Sequence, residues 1–308
     1  MSQKRQVHYY HYKVFSKSVF SGNSTGILIN PQGLTKEAKQ NIAKNLNLET
    51  TTFVNAKSDN KFDIDFFTPL REVAVRGHAL LGTAIALIDN GKVISQSENE
   101  KEPETVRFYA NGVKHLVKVN IKKNELNEAF IEFLQPVITK LNLEYDKIIS
   151  SLRSQMSQIL VPEEILIVNT GLNHFFIEFA NLKDLKQIKP DFTSLKEICE
   201  TFNIDSIGCF CKQPENDQNF LHLREFAPLL GNDEESASVT TVAGLLFYME
   251  NLKKLGNLDG KSTVHIEQGY EVNSPTDIPA EIIHTDNKIE KIKIKTTAIC
   301  FVRGVLNL

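Results

Sequence analysis

Residues 66–90, FFTPLREVAVRGHALLGTAIALIDN, constrain the fold more than any other stretch of the chain. The segment starts as a strand that stops at Pro69, crosses a short loop, and turns at Gly77-His78 into a helix. Ala79, Leu80, Leu81, Ala84, Ile85, Ala86, Leu87 and Ile88 leave that helix almost no polar face. A helix that is apolar all round must be buried all round. It is too short to span a bilayer, so protein has to surround it, and the simplest wrapper is a sheet curled about it. Its first N–H groups lack partners within the helix and carry the positive end of its dipole. The Gly77-His78 turn is therefore suited to a carboxylate or phosphate.

The same plan recurs further along. Phe226-Ala227-Pro228 echoes Phe67-Thr68-Pro69, an acidic and hydroxyl-rich loop covers residues 233–238, and a second helix is expected over residues 240–252. Val242, Ala243, Leu245, Leu246, Phe247, Tyr248 and Met249 are spread around its circumference. A repeated order of strand, proline, loop and buried helix predicts an α+β protein of two pseudo-twofold-related domains, each a rolled, mostly antiparallel sheet around a central helix. In this reading the two helix N-termini face one another across a cleft that takes a small anion.

A length of 308 residues suits two such domains. With 35 Lys+Arg against 38 Asp+Glu and a net charge of −3, the chain has no basic stripe, so nucleic acid is not an expected partner. No apolar run approaches the ~18 residues of a membrane span, and no apolar h-region follows the N-terminal basic residues, so a cytoplasmic protein with no membrane partner is expected. The four cysteines (Cys199, Cys209, Cys211, Cys300) show no CxxC spacing, and Cys209 and Cys211, sharing one strand face, read as buried free thiols and not as a metal or redox pair.

Taken in order, strands are expected over residues 9–15, 26–30, 48–55 and 62–67, with a turn at Ser21-Gly22-Asn23. Thr35 is placed to cap an amphipathic helix running to about Asn45, since Leu34, Ala38, Ile42 and Leu46 recur every four residues. Asn111-Gly112 between TVRFYA and VKHLVKVNI is a hairpin signal. The polar stretch 122–128 near the midpoint sets the domain boundary, giving domains over residues 1–124 and 125–297, with a C-terminal strand, 298–308, returning to the first. Helices are expected over residues 141–154 and 191–202, and strands over 130–133, 165–168, 175–179 and 221–226.

Several motifs follow one another through the chain: FxxxxFxGN (Phe15, Phe20, Gly22, Asn23), LNLETTTFV from Leu46, FTP with Glu72 and GHxxLG (Gly77, His78, Leu81, Gly82), TGLNHF from Thr170, RxFAPxxG from Arg224, and IEQGYE from Ile266. In this combination and order the chain resembles the phenazine-biosynthesis PhzF family over nearly its whole length. The resemblance implies the diaminopimelate-epimerase fold, with the active site between two similar domains, and a homodimer. It also implies a cofactor-free isomerisation that moves a proton within a small cyclic amino acid, trans-2,3-dihydro-3-hydroxyanthranilate. A small carboxylate-bearing substrate is therefore the expected partner, and no cofactor or metal is expected.

Carried over residue by residue, the family's GH dipeptide falls on Gly77 and His78, and its Glu-Asp-Pro-Ala-Thr-Gly-Ser loop falls on residues 234–240. The catalytic candidates are Glu49, His78, Glu235 and Thr240; Asn23, Gly77, Ser238 and Val239 are the substrate-binding candidates. The chain departs from the pattern at this point. Without a gap, Glu49 stands at the family's serine and Thr50 at its proton-abstracting glutamate; a one-residue displacement on a strand turns a side chain to the other face unless a bulge intervenes. Glu235 replaces aspartate, Ser236 proline, and Val239 a glycine, the last a strained exchange if that position has positive φ.

Moving a carbon-bound proton needs a base whose pKa lies near the working pH, which a carboxylate reaches by partial burial. Glu49, flanked by Leu48 and Phe53, is such a group or else a solvated strand-end glutamate. His78 at a helix start is disfavoured as imidazolium and serves as a neutral site residue or as a structural cap. Glu235 is a second proton carrier or one of three solvated acids, Thr240 a site hydroxyl or an ordinary N-cap, Asn23 a site residue or part of a turn, and His174 a packed core histidine. Two rival functions remain. A racemase on this fold needs a thiol at each helix start, and no Cys lies in 72–82 or 231–241. A non-catalytic binder would keep the anion pocket without the base.

Overall fold

The structure is a computed structural model that describes residues 6–16, 18–73, 75–94, 102–122, 125–256, 260–286 and 288–308. The chain divides into two compact units, Met1–Glu132 with Lys295–Leu308, and Phe133–Ile294. This division falls after the polar 122–128 stretch, most of which belongs to a strand hairpin; residues 123 and 124 lie outside the described residues.

In the first unit, β1 (Gln6–Val14) and β2 (Asn23–Ile29) are antiparallel, α1 (Lys36–Leu46) follows, and β3 (Thr50–Ser58) lies parallel to β2. β4 (Lys61–Phe67) is antiparallel to β3 and carries the two-residue β5 (Glu72–Val73). After α2 (Gly77–Asp89), β6 (Glu104–Ala110) pairs parallel with β4 and leads through β7 (Val113–Lys122) to β8 (Glu125–Leu134). Asn111 and Gly112 both take positive φ at the β6–β7 turn, as a two-residue hairpin loop of this hand requires.

α1 is capped by Thr35, whose hydroxyl accepts from Ala38 N, and ends on Asn47 at φ 50°. Its apolar edge covers Val7, Tyr9, Leu28, Phe53 and Phe67 on one face of the sheet. α2 occupies the other face against β1, β2, β3 and β7, with every residue from His78 to Ile88 buried. Gly82 permits this approach, since a Cβ there would lie 2.8 Å from Val14 Cγ2.

The second unit repeats the pattern. β9 (Val137–Lys140) pairs antiparallel with β10 (Leu166–Asn169), and β10 with β11 (Asn173–Glu178). Between β9 and β10 lies α3 (Tyr145–Ser151), shorter than the helix expected over 141–154 because residues 152–154 turn out of it through Arg153 at φ 52°. α4 (Leu182–Lys186) and α5 (Phe192–Phe202) lead to β12 (Ser206–Cys211), parallel to β11. β13 (Leu221–Ala227) is antiparallel to β12 and carries β14 (Asn232–Glu235). α6 (Val239–Asn251) follows, then β15 (Lys261–Gln268), parallel to β13, then β16 (Thr276–Thr285) and β17 (Lys288–Thr296). β18 (Ala298–Asn307) closes the first unit by pairing antiparallel with β1.

Strand for strand, β18-β1-β2-β3-β4-β6-β7-β8 and β9-β10-β11-β12-β13-β15-β16-β17 alternate parallel and antiparallel pairings in the same sequence. Each unit holds a 13-residue helix in which the sixth residue is glycine, Gly82 or Gly244; a Cβ on Gly244 would lie 3.2 Å from His174 Cδ2. The acidic segment expected as a loop over 233–238 is extended for its first half, because β13 offers it a free edge to pair with. Cys199, Cys209 and Cys211 are buried free thiols in the core beneath α5.

Candidate active site

In the first unit the candidates gather where β2, β3 and α2 begin. Asn23 opens β2 and is fully buried, following Gly22 at φ +82°, where a Cβ would meet Ser16 Cβ at 2.5 Å. Glu49 lies one residue before β3, half-buried, and its Oε2 accepts from Ser24 N at 3.2 Å. No bulge interrupts the β2–β3 register at this point, so Thr50 is the first residue inside the strand. Thr50 shares a face with Thr52, whose hydroxyl lies 3.1 Å from Thr83 Oγ1 on α2. The helix-facing position at the head of β3 is thus held by a buried threonine, and the nearby carboxylate is tied to the backbone of β2.

Gly77 is the first residue of α2 and His78 the second. His78 is buried, and its Nε2 has no hydrogen-bond partner among the described residues. Burial, and after it the Arg76 charge, pushes His78 down to about 3, so it is a neutral imidazole. The helix dipole acts in the same direction, but desolvation is the larger cause.

In the second unit the pairing of β14 with β13 separates the acids of residues 233–235. Glu234 and Glu235 point to opposite faces. Glu234 meets Arg224 in a bidentate pair, Nε and Nη2 each 2.9 Å from its oxygens. Glu235 lies on the α6 side, 4% exposed, directly opposite Glu225. Asp233 is exposed.

Ser238, not Thr240, is the N-cap of α6: its Oγ accepts from Thr241 N at 3.4 Å and lies 2.9 Å from Thr241 Oγ1 and 3.3 Å from Thr240 Oγ1. Val239 is the buried first residue of the helix and does not take positive φ, so valine in place of glycine adds no backbone strain. Thr240 follows, half-buried, its carbonyl accepting from Thr170 Oγ1 at 2.9 Å.

Several motifs act here as braces. Gln268 of IEQGYE donates from Nε2 to the Glu235 carbonyl at 2.8 Å and accepts from Ser238 N at 3.3 Å. Gly269 at φ +84° lets the chain pass within 2.7 Å, counted from a would-be Cβ, of the Ser236 carbonyl, which also accepts from Thr276 Oγ1. His174 of TGLNHF is fully buried, its Nδ1 2.7 Å from Ser206 Oγ and 3.3 Å from Thr241 Oγ1, and burial pushes it down to about 3.

Sequence reasoning passed over Glu225, which is 1% exposed and accepts from Thr241 Oγ1 at 2.5 Å. Burial, and then the charge of Glu235, pushes it up to about 7. Its position between Arg224 and Phe226 in a strand gave no local signal. The clue was an acid in a run of otherwise buried residues.

A sheet rolled round a buried helix, built twice in one chain with polar groups gathered at each helix start, defines the α+β class of diaminopimelate-epimerase-like proteins. The chain belongs to the PhzC-PhzF family, described as phenazine biosynthesis-like protein, whose pattern it matches over residues 12–304. Among curated relatives, a Clostridium acetobutylicum protein named as an uncharacterized isomerase is 26% identical over 99% of each chain. A trans-2,3-dihydro-3-hydroxyanthranilate isomerase of Pseudomonas chlororaphis is 25% identical over 98% of this chain and 99% of its own. The fold is also that of the Bacillus anthracis phenazine biosynthesis protein of the PhzF family, at a TM-score of 0.80 with 21% identity, covering 99% of this chain and 100% of that one.

Proposed function

We propose that this PhzF-family protein is an isomerase that moves a proton on a small, carboxylate-bearing cyclic amino or hydroxy acid such as trans-2,3-dihydro-3-hydroxyanthranilate, using its own carboxyls as acid and base. The observation that carries this reading is Glu235: a buried carboxyl on the α6 side of β14, opposite Glu225 and three residues before Ser238, the N-cap of α6. Helix N–H groups bind a substrate carboxylate, and a carboxyl nearby accepts or returns a proton. Gly77 and the neutral His78 offer the same kind of helix start in the first unit, where Asn23 opens β2, and in the second unit Val239 opens α6. Relatives named as isomerases support the reaction class.

The test is proton exchange in D2O followed by NMR, with trans-2,3-dihydro-3-hydroxyanthranilate and a panel of small cyclic amino and hydroxy acids. Deuterium should appear at carbon, and Glu235→Gln should slow exchange roughly 100-fold or more, the usual loss for a missing acid–base group. Undiminished exchange in a Glu49→Gln, Glu235→Gln double variant would remove both acids from the mechanism. A second reading, a binder without turnover, is favoured by the tether of Glu49 to Ser24 and by Thr50 at the head of β3. Binding of a panel member with no deuterium uptake would establish it.

A further inference from the structure

The strand that follows each buried helix ends differently in the two units. The repeated Phe67-Thr68-Pro69 and Phe226-Ala227-Pro228 bring Phe62 of β4 and Leu221 of β13 into correspondence, and these pair with Phe108 of β6 and Ile266 of β15. Ala110 and Gln268 then occupy the same place. In the first unit Ala110 pairs with Val113 and runs straight into the Asn111-Gly112 turn. In the second, Gln268 pairs with Thr276, and residues 269–275 form a longer loop between them. The first unit closes this hairpin on an alanine, so the fold does not require a glutamine here.

Gln268 is fully buried, and its carboxamide bonds backbone on both sides of residues 236 and 237, which join β14 to the cap of α6. Nε2 donates to the Glu235 carbonyl at 2.8 Å and lies 3.4 Å from Glu225 Oε2, while Oε1 accepts from Ser238 N at 3.3 Å. A carbonyl only accepts and an N–H only donates, so the amide has a single orientation. Thr276 Oγ1 donates to the Ser236 carbonyl of the same turn at 2.9 Å. Ser238 in turn caps Thr241 N, and the N–H groups of Val239 and Thr240 have no partner within the helix. The direction of those two N–H groups is set by the turn that precedes them.

We infer that Gln268 is a positioning residue for substrate binding: its carboxamide clamps the turn between β14 and α6, and so aims the first N–H groups of α6 at the substrate carboxylate. Being fully buried, Gln268 does not touch substrate itself. This role rests on the isomerase reading, in which a helix start binds a carboxylate, but the clamp does not. A carboxylate that takes no part in the reaction is held equally in the ground and transition states, so loss of the clamp should show in KM and not in kcat.

The test compares wild type with Gln268→Met, which keeps the length of the side chain and loses both bonds. With trans-2,3-dihydro-3-hydroxyanthranilate as the probe, Gln268→Met should raise KM roughly tenfold and leave kcat within about threefold. A KM within about twofold of wild type, or a fall in kcat alone, would overturn the positioning role. If Gln268→Met fails to fold, Thr276→Val, which releases the same turn at Ser236, takes its place, and an unmoved KM there overturns the role. If wild type binds the probe without turnover, the dissociation constant replaces KM with the same expectation. Neither binding nor turnover in wild type would overturn the positioning role together with that substrate. The clamp is tested apart from both, by NMR of hydrogen exchange at Ser238 N–H and at the Gln268 carboxamide. Both should exchange far more slowly than solvated amides, and Ser238 N–H should lose protection in Gln268→Met. A Gln268 carboxamide that exchanges in wild type as fast as a solvated one would overturn the clamp itself.

Discussion

Replacing His222 by leucine tests how the sheet face opposite α6 is held together. His222 on β13 is fully buried between two acids, Nδ1 donating to Glu267 Oε1 at 2.6 Å and Nε2 to Glu271 Oε1 at 3.2 Å. Burial opposes its charge, but the two carboxylates outweigh burial and push it up from 6.5 to about 9. At about 1.36 kcal/mol per unit, this difference is worth about 3 kcal/mol of folding stability. The figure agrees with the ~3–5 kcal/mol lost when one member of a buried pair is removed. Glu271 would keep Arg224, whose Nε lies 3.9 Å away, while Glu267 would be left with the Glu215 and Asn216 N–H groups and the Asn219 amide.

A raised histidine contributes fully below its ordinary value and loses that contribution as pH rises through about 9. Glu267 and Glu271 are both lowered, despite burial, by their bonds to His222, so their contribution is lost as pH falls below the usual carboxylate range. The stability gap between wild type and His222→Leu should therefore be widest from about pH 5 to 6.5 and shrink on both sides. Urea denaturation across pH 4–9 reads it directly. Thermal melting should show a drop of roughly 6–12 °C for a unit of this size. A gap below about 1 kcal/mol, or one that does not vary with pH, would refute the ion-pair account.

Ser238→Ala removes the cap of α6 and should lower stability by about 0.5–2 kcal/mol in urea titration, with glycine at the same position costing less. Gly269→Ala places a Cβ 2.4 Å from the Ser274 carbonyl at φ +84° and should destabilise the second unit far more than Gly256→Ala, where a Cβ would meet nothing within 4 Å; comparison of the two melting curves checks this. In thiol labelling of the native protein, Cys300 should react while Cys199, Cys209 and Cys211 stay protected until denaturant is added, since burial pushes Cys199 up to about 12 and Cys211 up to about 11. Thr50→Glu restores a carboxyl to the helix-facing position of β3 and should raise deuterium exchange above wild type if Glu49, held by Ser24, is not the working base.

The two buried helices were legible because burial on all sides leaves a local trace: no polar face over 13 residues. The α1 cap at Thr35 and the Asn111-Gly112 turn were legible for the same reason, since a cap or a tight hairpin is specified by a few adjacent residues. From these and the order of the motifs came the double sheet-and-helix plan. The sequence alone could not say which acid of residues 233–235 faces α6, that Glu225 stands opposite it, or that Glu49 is held by Ser24 outside the strand. Each depends on the register between strands far apart in the chain, and a shift of one residue turns every side chain to the other face. Glu225 shows the limit most clearly: nothing next to it in the sequence says which way it faces, and only the pairing of β13 with β14 sends Arg224 to Glu234 and leaves Glu225 opposite Glu235.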